Sequence, residues 1–184
     1  YTIPVNANKS VKINKWHNGN SNPYTEVLQV TSTGTNTNVA ITDAMGTYLG
    51  LTDGTVKVYT DWNLTTEYTG TYSVTGNSAG AHGFVATIDS MSDGQVLYVV
   101  YKVNVDSKAA LTNDAKTHQN TATVVSKDDT TGSSHTDQID ATAKFTTTKD
   151  ATVDGNNITW SIYVDNADGS DIAGTIVKDI RGAD

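Results

Sequence analysis

The sequence predicts an all-β protein: an immunoglobulin-like antiparallel β-sandwich followed by the start of a second β-sandwich module. Three observations predict it. Short alternating runs rich in Thr, Val and Tyr, bounded by Gly, Asn and Asp, recur along the 184 residues, as half-buried strands joined by tight turns require. No stretch carries a sustained apolar period of the helical kind. A whole supersecondary unit also occurs twice: Tyr24 to Asp43 reads YTEVLQVTSTGTNTNVAITD, and Trp160 to Asp179 reads WSIYVDNADGSDIAGTIVKD. Each copy has an aromatic-led strand, a polar turn, a second strand and a closing Asp, at equal spacing, and such repetition points to a tandem-domain protein.

The alternation places strands at 9–17, 24–32, 38–43, 55–61, 67–75, 83–90, 95–105 and 119–126. Between them, DAMGTYLGL (43–51) reads as a helical turn or a loop. SKDDTTGSSHTDQID (126–140) is polar and short of apolar residues, and reads as a linker or a long edge loop. A second set follows at 143–149, 157–165 and 173–179. Residues 1–130 therefore form one immunoglobulin-like domain, since about eight strands suit that sandwich. Residues 141–184 supply the first strands of a second, incomplete one, since about three strands are too few to close a core. With Tyr1 at its start and a stop soon after the second closing Asp, the chain reads as a piece of a longer precursor.

Composition removes several function classes. The net charge is −8 and Arg181 is the single arginine, which argues against a nucleic-acid partner, because phosphate binding takes clustered Lys and Arg. There is no Cys, so neither a disulfide framework nor a thiolate zinc site can exist, and a secreted domain of this kind needs large cores or another crosslink. No apolar run approaches the roughly 18 residues of a membrane-spanning helix. His17, His82, His118 and His135 lack metal-ligand spacing, and the turns DGNN and DNADGSD lack the alternation and distal Glu of a calcium loop. Phosphate-loop and nucleophile-elbow motifs are absent. No cofactor, no metal and no enzymatic activity on an external substrate are expected. Trp160 shares parity with Ile158 and Ile162 and is assigned to a core. Trp62 and Trp16 lie near predicted turns and are the candidate binding residues, on which a glycan ring could stack.

The order of a Lys-bearing strand, YTEVLQV, NVAITD, a middle portion, LYVVYKVNV and NTATV resembles the isopeptide-forming repeat domains of Gram-positive surface adhesins and pilin shafts. KDATVDGNNITWSIYVDNADG with AGTIVKDI is similar to the opening of the collagen-adhesin type of that class. The resemblance covers about 9–126 and 143–180. It implies a cell-wall-attached extracellular stalk whose partners are neighbouring repeat domains. A host matrix protein or glycan is the alternative partner, for a ligand-binding adhesin domain. It also implies a chemistry in which a Lys amine on the first strand attacks an Asn amide on the last strand, an acid promotes the attack and ammonia leaves. Such a Lys must be neutral and such an acid protonated, and burial favours both.

Strand parity helps to match residues to those roles. Val11, Ile13 and Lys15 share a face, as do Phe145, Thr147 and Lys149 in the second set, so Lys15 is favoured over Lys12, with Lys9 in reserve. Asp43 closes NVAITD where the resemblance puts the promoting acid, and Asp179 holds the same place in the second copy; a turn cap is the bland alternative for Asp43. Glu26 shares parity with Tyr24, Leu28 and Val30, and is the reserve acid or an ion-pair partner of Lys15, because a Glu on an apolar face is costly unless paired. Asn120 opens NTATV and is the candidate acceptor, or else a strand-edge Asn bonded to backbone.

Overall fold

A computed structural model describes residues 8–19, 22–105, 117–140, 145–166 and 176–180. They fall into two units, one running to Asp140 and one from Phe145 on, and each is described by itself.

The first unit is an immunoglobulin-like sandwich of two antiparallel sheets. Its strands are β1 (Ser10–Asn18), β2 (Tyr24–Thr33), β3 (Asn36–Met45), β4 (Leu49–Tyr59), β5 (Tyr72–Thr75), β6 (Gly83–Met91), β7 (Val96–Val105), β8 (Thr117–Val125) and β9 (Ser133–Asp140). One sheet has the order β1-β2-β7-β4 and the other β5-β6-β3-β8-β9. The inner faces follow the period of two that sequence alternation dictates. Val11 and Ile13 of β1, Val39 and Ile41 of β3, and Ala122 and Val124 of β8 are buried, while Lys12, Asn14, Thr42 and Thr123 between them are exposed. Leu28, Val30, Leu97, Val99 and Val103 complete the core from the central strands β2 and β7. Burying side chains of this size contributes about 1.5–3 kcal/mol each.

Several elements differ from expectation. Segment 43–51 is not a helical turn: β3 runs on to Met45 and β4 begins at Leu49. Leu49 and Leu51 are buried, then the pairing of β4 with β7 shifts between Leu51 and Val56. This bulge breaks the alternation and carries Gly54 at φ 73°, so a strand looks like a turn. In 67–75 only Tyr72–Thr75 is a strand, although Glu67 makes an isolated bridge to Tyr59.

The largest difference is 126–140, where Ser133–Asp140 forms β9, paired to β8 along its whole length. Asn120 therefore lies on the penultimate strand of the unit. The segment also closes the edge of the opposite sheet. The Val11 amide donates to Asp129 Oδ2 (3.1 Å), the Ile13 amide to Ser133 Oγ (2.8 Å) and the Lys15 amide to His135 Nδ1 (3.2 Å), while His17 Nδ1 lies 2.5 Å from Asp137 Oδ2. An edge strand otherwise exposes a row of unpaired N–H groups. Here side chains answer that row at every second residue. Gly132 makes the approach possible: it sits at φ 57°, and a Cβ there would lie 1.8 Å from the Val124 carbonyl oxygen.

The second unit contains the hairpin of β10 (Phe145–Asp154) and β11 (Asn157–Asn166), turned at Gly155 with φ 58°. Trp160 is not a core residue here. It is 56% exposed, with Ile158 and Ile162 exposed on the same face, because no second sheet covers the hairpin among the described residues. Lys149 Nζ bonds Asp179 Oδ1 at 2.7 Å and lies 4.3 Å from the centre of the Trp160 ring. Residues 173–175 of the expected third strand lie outside the described residues, as does most of the DNADGSD turn, and 176–180 is not strand. Among the described residues no helix is long and apolar enough to cross a membrane.

The edge clamp makes a prediction. Ser133→Ala leaves the Ile13 amide without its partner and should cost about 1 kcal/mol by urea unfolding. Hydrogen exchange should speed up at Ile13 before it does at residues of β2; uniform loss of protection would show that the side-chain ladder does not hold this edge.

Candidate functional site

Between the sheets lies a polar cluster built by five strands. Lys15 projects inward from β1 opposite Leu28 of β2, and Glu26 from β2 opposite Tyr101 of β7. From the other sheet, Asp43 of β3 stands beside Phe84 of β6 and Ala122 of β8, and Asn120 of β8 pairs with Met45. Each occupies an inward position of its strand, so each is carried into the core. Exposure is 2% for Lys15 and Tyr101, 3% for Asp43 and zero for Glu26 and Asn120.

The contacts converge on two atoms. Lys15 Nζ donates to Asp43 Oδ2 and to the Tyr101 hydroxyl, both at 2.5 Å, and stands 3.7 Å from Glu26 Oε2. The Tyr101 hydroxyl donates to Asp43 Oδ2 at 2.7 Å. Asn120 Nδ2 donates to Glu26 Oε1 at 3.3 Å and to the Tyr101 oxygen at 3.1 Å. Glu26 thus reaches the Lys15 amine with one carboxyl oxygen and the Asn120 amide nitrogen with the other. Asp43 fixes the amine and the phenol.

Electrostatics follows from burial. One amine and two carboxyls share a fully covered site, and both carboxyls are pushed upward. Glu26 rises from 4.5 to about 7, mainly through burial, with Lys15 opposing and the Asp137 and Asp43 charges adding. Asp43 is also raised by burial, against the pull of Lys15 and of hydrogen bonds from Lys15, Tyr101 and Asn120. The Tyr101 phenol is held well above its usual range by burial and by both carboxylates, so it remains neutral. Glu26 Oε2, Asp43 Oδ1 and Asn120 Oδ1 are buried without a hydrogen-bond partner. A proton held on a carboxyl lowers the charge of the cluster and removes an acceptor from this surplus.

The structure brings together Lys15, Asp43, Glu26 and Asn120 of the sequence-derived set. Lys9 lies elsewhere, exposed and paired with Asp128 at 2.7 Å. Trp62 is 63% exposed, lies in the turn capped by Asp61 and stacks on half-buried Trp16 with ring centres 5.0 Å apart. Tyr101 was missed. The signal lay in its parity with Val99, Val103 and Val105: a phenol on a buried apolar face needs a partner for its hydroxyl. Among the described residues no group of three His, Asp or Glu side chains could hold a metal ion.

The sequence matches no family model and no curated protein. In fold, the chain has the immunoglobulin-like architecture of Gram-positive surface adhesins and pilins. The collagen binding subdomain of the Enterococcus faecalis surface protein ACE aligns with a TM-score of 0.52 at 13% identity, covering 70% of this chain and 96% of that one. A longer structure of ACE, which binds its ligands by the collagen hug model, gives 0.53 at 15% identity over 71% of this chain and 50% of that one. The major pilin subunit of Bacillus cereus gives 0.50 at 12% identity over 86% of this chain and 54% of that one. The chain thus spans about half the length of the latter two.

The raised carboxyls make stability fall with pH. Between 4.5 and about 7 Glu26 binds a proton when folded and releases it when unfolded, so the slope is negative in that window. Over it the loss amounts to about 3 kcal/mol. Urea midpoints from pH 4.5 to 7.5 should decline for the parent, and Glu26→Gln should flatten much of the decline; an equal slope in both proteins would place the titration elsewhere.

Proposed function

We propose that the chain is a structural stalk module of a bacterial cell-surface adhesin or pilus-like protein, locked by an autocatalytic isopeptide bond between Lys15 and Asn120. The observation that carries this reading is a buried cluster in which an amine and an amide nitrogen meet on one phenol oxygen beside two raised carboxyls, contributed by both sheets. The Lys15 Nζ–Asn120 Cγ bond forms and the Cγ–Nδ2 bond breaks. Ammonia leaves with a proton from the amine, so atoms balance and no oxidant is needed. Attack requires a neutral amine, and the surplus of buried carboxyls offers a place for its proton. Glu26 spans the two nitrogens and is the group to carry that proton from amine to leaving group; Asp43 anchors the amine. Holding both nitrogens on one phenol oxygen supplies the effective molarity that two groups in solution lack. The reaction is a single turnover on the chain itself, not enzymatic turnover of a substrate.

Such a bond would cross from one sheet to the other and close a loop from Lys15 to Asn120, limiting the unfolded chain much as a disulfide does. Tension applied at the two ends would bypass the strands between. The module would then serve outside the cell, attached to the wall, with neighbouring repeat domains as its partners.

The test is intact mass. The parent should weigh one ammonia less than its sequence requires, and Lys15→Ala and Asn120→Ala should show the full mass. Glu26→Gln should retain the ammonia more completely than Asp43→Asn. A parent of unmodified mass ends the crosslink reading.

The exposed Trp62 favours a second reading, a ligand-binding adhesin domain for a host matrix protein or glycan. It predicts saturable binding to immobilised collagen or a glycan array that drops at least tenfold in Trp62→Ala. Binding that is absent, or the same in both proteins, removes this aromatic pair as a contact surface.

A further inference from the structure

The Tyr101 hydroxyl occupies an unusual place. A phenol oxygen has two acceptor positions and one proton to give. Tyr101 accepts from Lys15 Nζ at 2.5 Å and from Asn120 Nδ2 at 3.1 Å, and gives its proton to Asp43 Oδ2 at 2.7 Å. These two nitrogens are the ones that exchange places in the proposed reaction, one arriving at the Asn120 carbonyl carbon and the other departing. Resting on that crosslink, we infer that Tyr101 is its positioning residue: one oxygen holds nucleophile and leaving group side by side, and Asp43 orients that oxygen.

The surroundings leave the phenol little freedom. Tyr101 sits on the central strand β7, 2% exposed, with its ring edge-on to Phe84 at 4.8 Å between centroids. With its proton committed to Asp43, the acceptor side of the oxygen faces the two nitrogens. A rotated hydroxyl would compete with them as a donor, so Asp43 acts on the reaction through Tyr101 as well as through its own bond to Lys15. A phenol also suits this place better than a carboxyl: it organises two N–H donors without adding a third negative charge to a site that already holds two carboxyls.

Three proteins separate positioning from packing: the parent, Tyr101→Phe, which deletes the oxygen and keeps the ring, and Phe84→Leu, which keeps the oxygen and loosens the ring. Intact mass is followed from the end of synthesis at several pH values, with hydrogen exchange reporting the fold. Tyr101→Phe should fold yet lose ammonia on the order of 10²-fold more slowly than the parent. Phe84→Leu should melt earlier and still lose ammonia at the parent rate. Site-specific replacement of Tyr101 by trifluorotyrosine keeps the hydroxyl and weakens it as an acceptor, and should give an intermediate rate with an altered pH profile, which tests the oxygen even if Tyr101→Phe folds poorly. Equal rates in the parent and either oxygen-altered protein overturn the assignment. So does slowing in Phe84→Leu that matches Tyr101→Phe in proportion to lost stability, which would make the role structural. A parent that never loses ammonia overturns the crosslink itself, an outcome distinct from a crosslinked parent with an indifferent Tyr101.

Discussion

An amine buried between two sheets is the constraint on which the sandwich depends. Removing a charged group from water costs several kcal/mol even after relaxation, and Lys15 has no route to solvent, its side chain being fully covered. Everything near it answers that cost. Asp43 and Tyr101 take its hydrogen bonds, Glu26 stands at 3.7 Å, and Asn120 completes the ring of contacts from the opposite sheet. The cluster also fixes register. A one-residue slip of β1, β3 or β8 would turn its polar member outward and strand the remaining groups in an apolar core. The same residues that form the candidate site thus specify how the two sheets meet.

The edge of the sandwich depends on the same strand. β1 has a backbone neighbour on one side, β2, and on the other it meets the side chains of Asp129, Ser133 and His135. Those bonds link the two sheets where no backbone ladder does, and one of them lands on the Lys15 amide itself. In a chain without cysteine, polar side chains do the closing that disulfides perform in many small domains. A Lys15–Asn120 bond would secure β1 to β8, but β9 follows Asn120 and remains held by its ladder to β8 and its clamp on β1. Force leaving through β9 would therefore test hydrogen bonds before it reached a covalent link.

What was legible in the sequence was what alternation encodes. Val11 and Ile13 declare the inner face of β1 and carry Lys15 with them; Val39 and Ile41 do so for Asp43, and Ala122 and Val124 for Asn120. Parity gives direction but not distance, so it left Asp43 and Glu26 as rivals where the structure gives them different neighbours. Strand β9 was illegible because most of its residues are polar and only Ile139 is fully buried; its role is to bond an edge, which needs no apolar face. The bulge in β4 hid a strand behind Asp53 and Gly54. Tyr101 was hidden by its company, since a Tyr among valines reads as packing until the partner of its hydroxyl is known.

The repeated pattern supplies an internal comparison. In the second unit Lys149 and Asp179 hold the sequence positions that Lys15 and Asp43 hold in the first, and they too are bonded, at 2.7 Å against 2.5 Å. Their side chains are 37% and 48% exposed, whereas those of the first pair are fully covered. An exposed pair of this kind contributes about 0.2–1 kcal/mol, and water satisfies both charges whichever way the side chains turn. The Lys–Asp pairing thus recurs in two different backbone settings: Lys15 and Asp43 meet from opposite sheets, whereas Asp179 lies outside the strands of its unit. What distinguishes the first unit is burial between two sheets, the second of which carries both Asp43 and Asn120. Burial between those sheets, rather than the ion pair, is what raises the carboxyls and sets this cluster apart from a common surface contact.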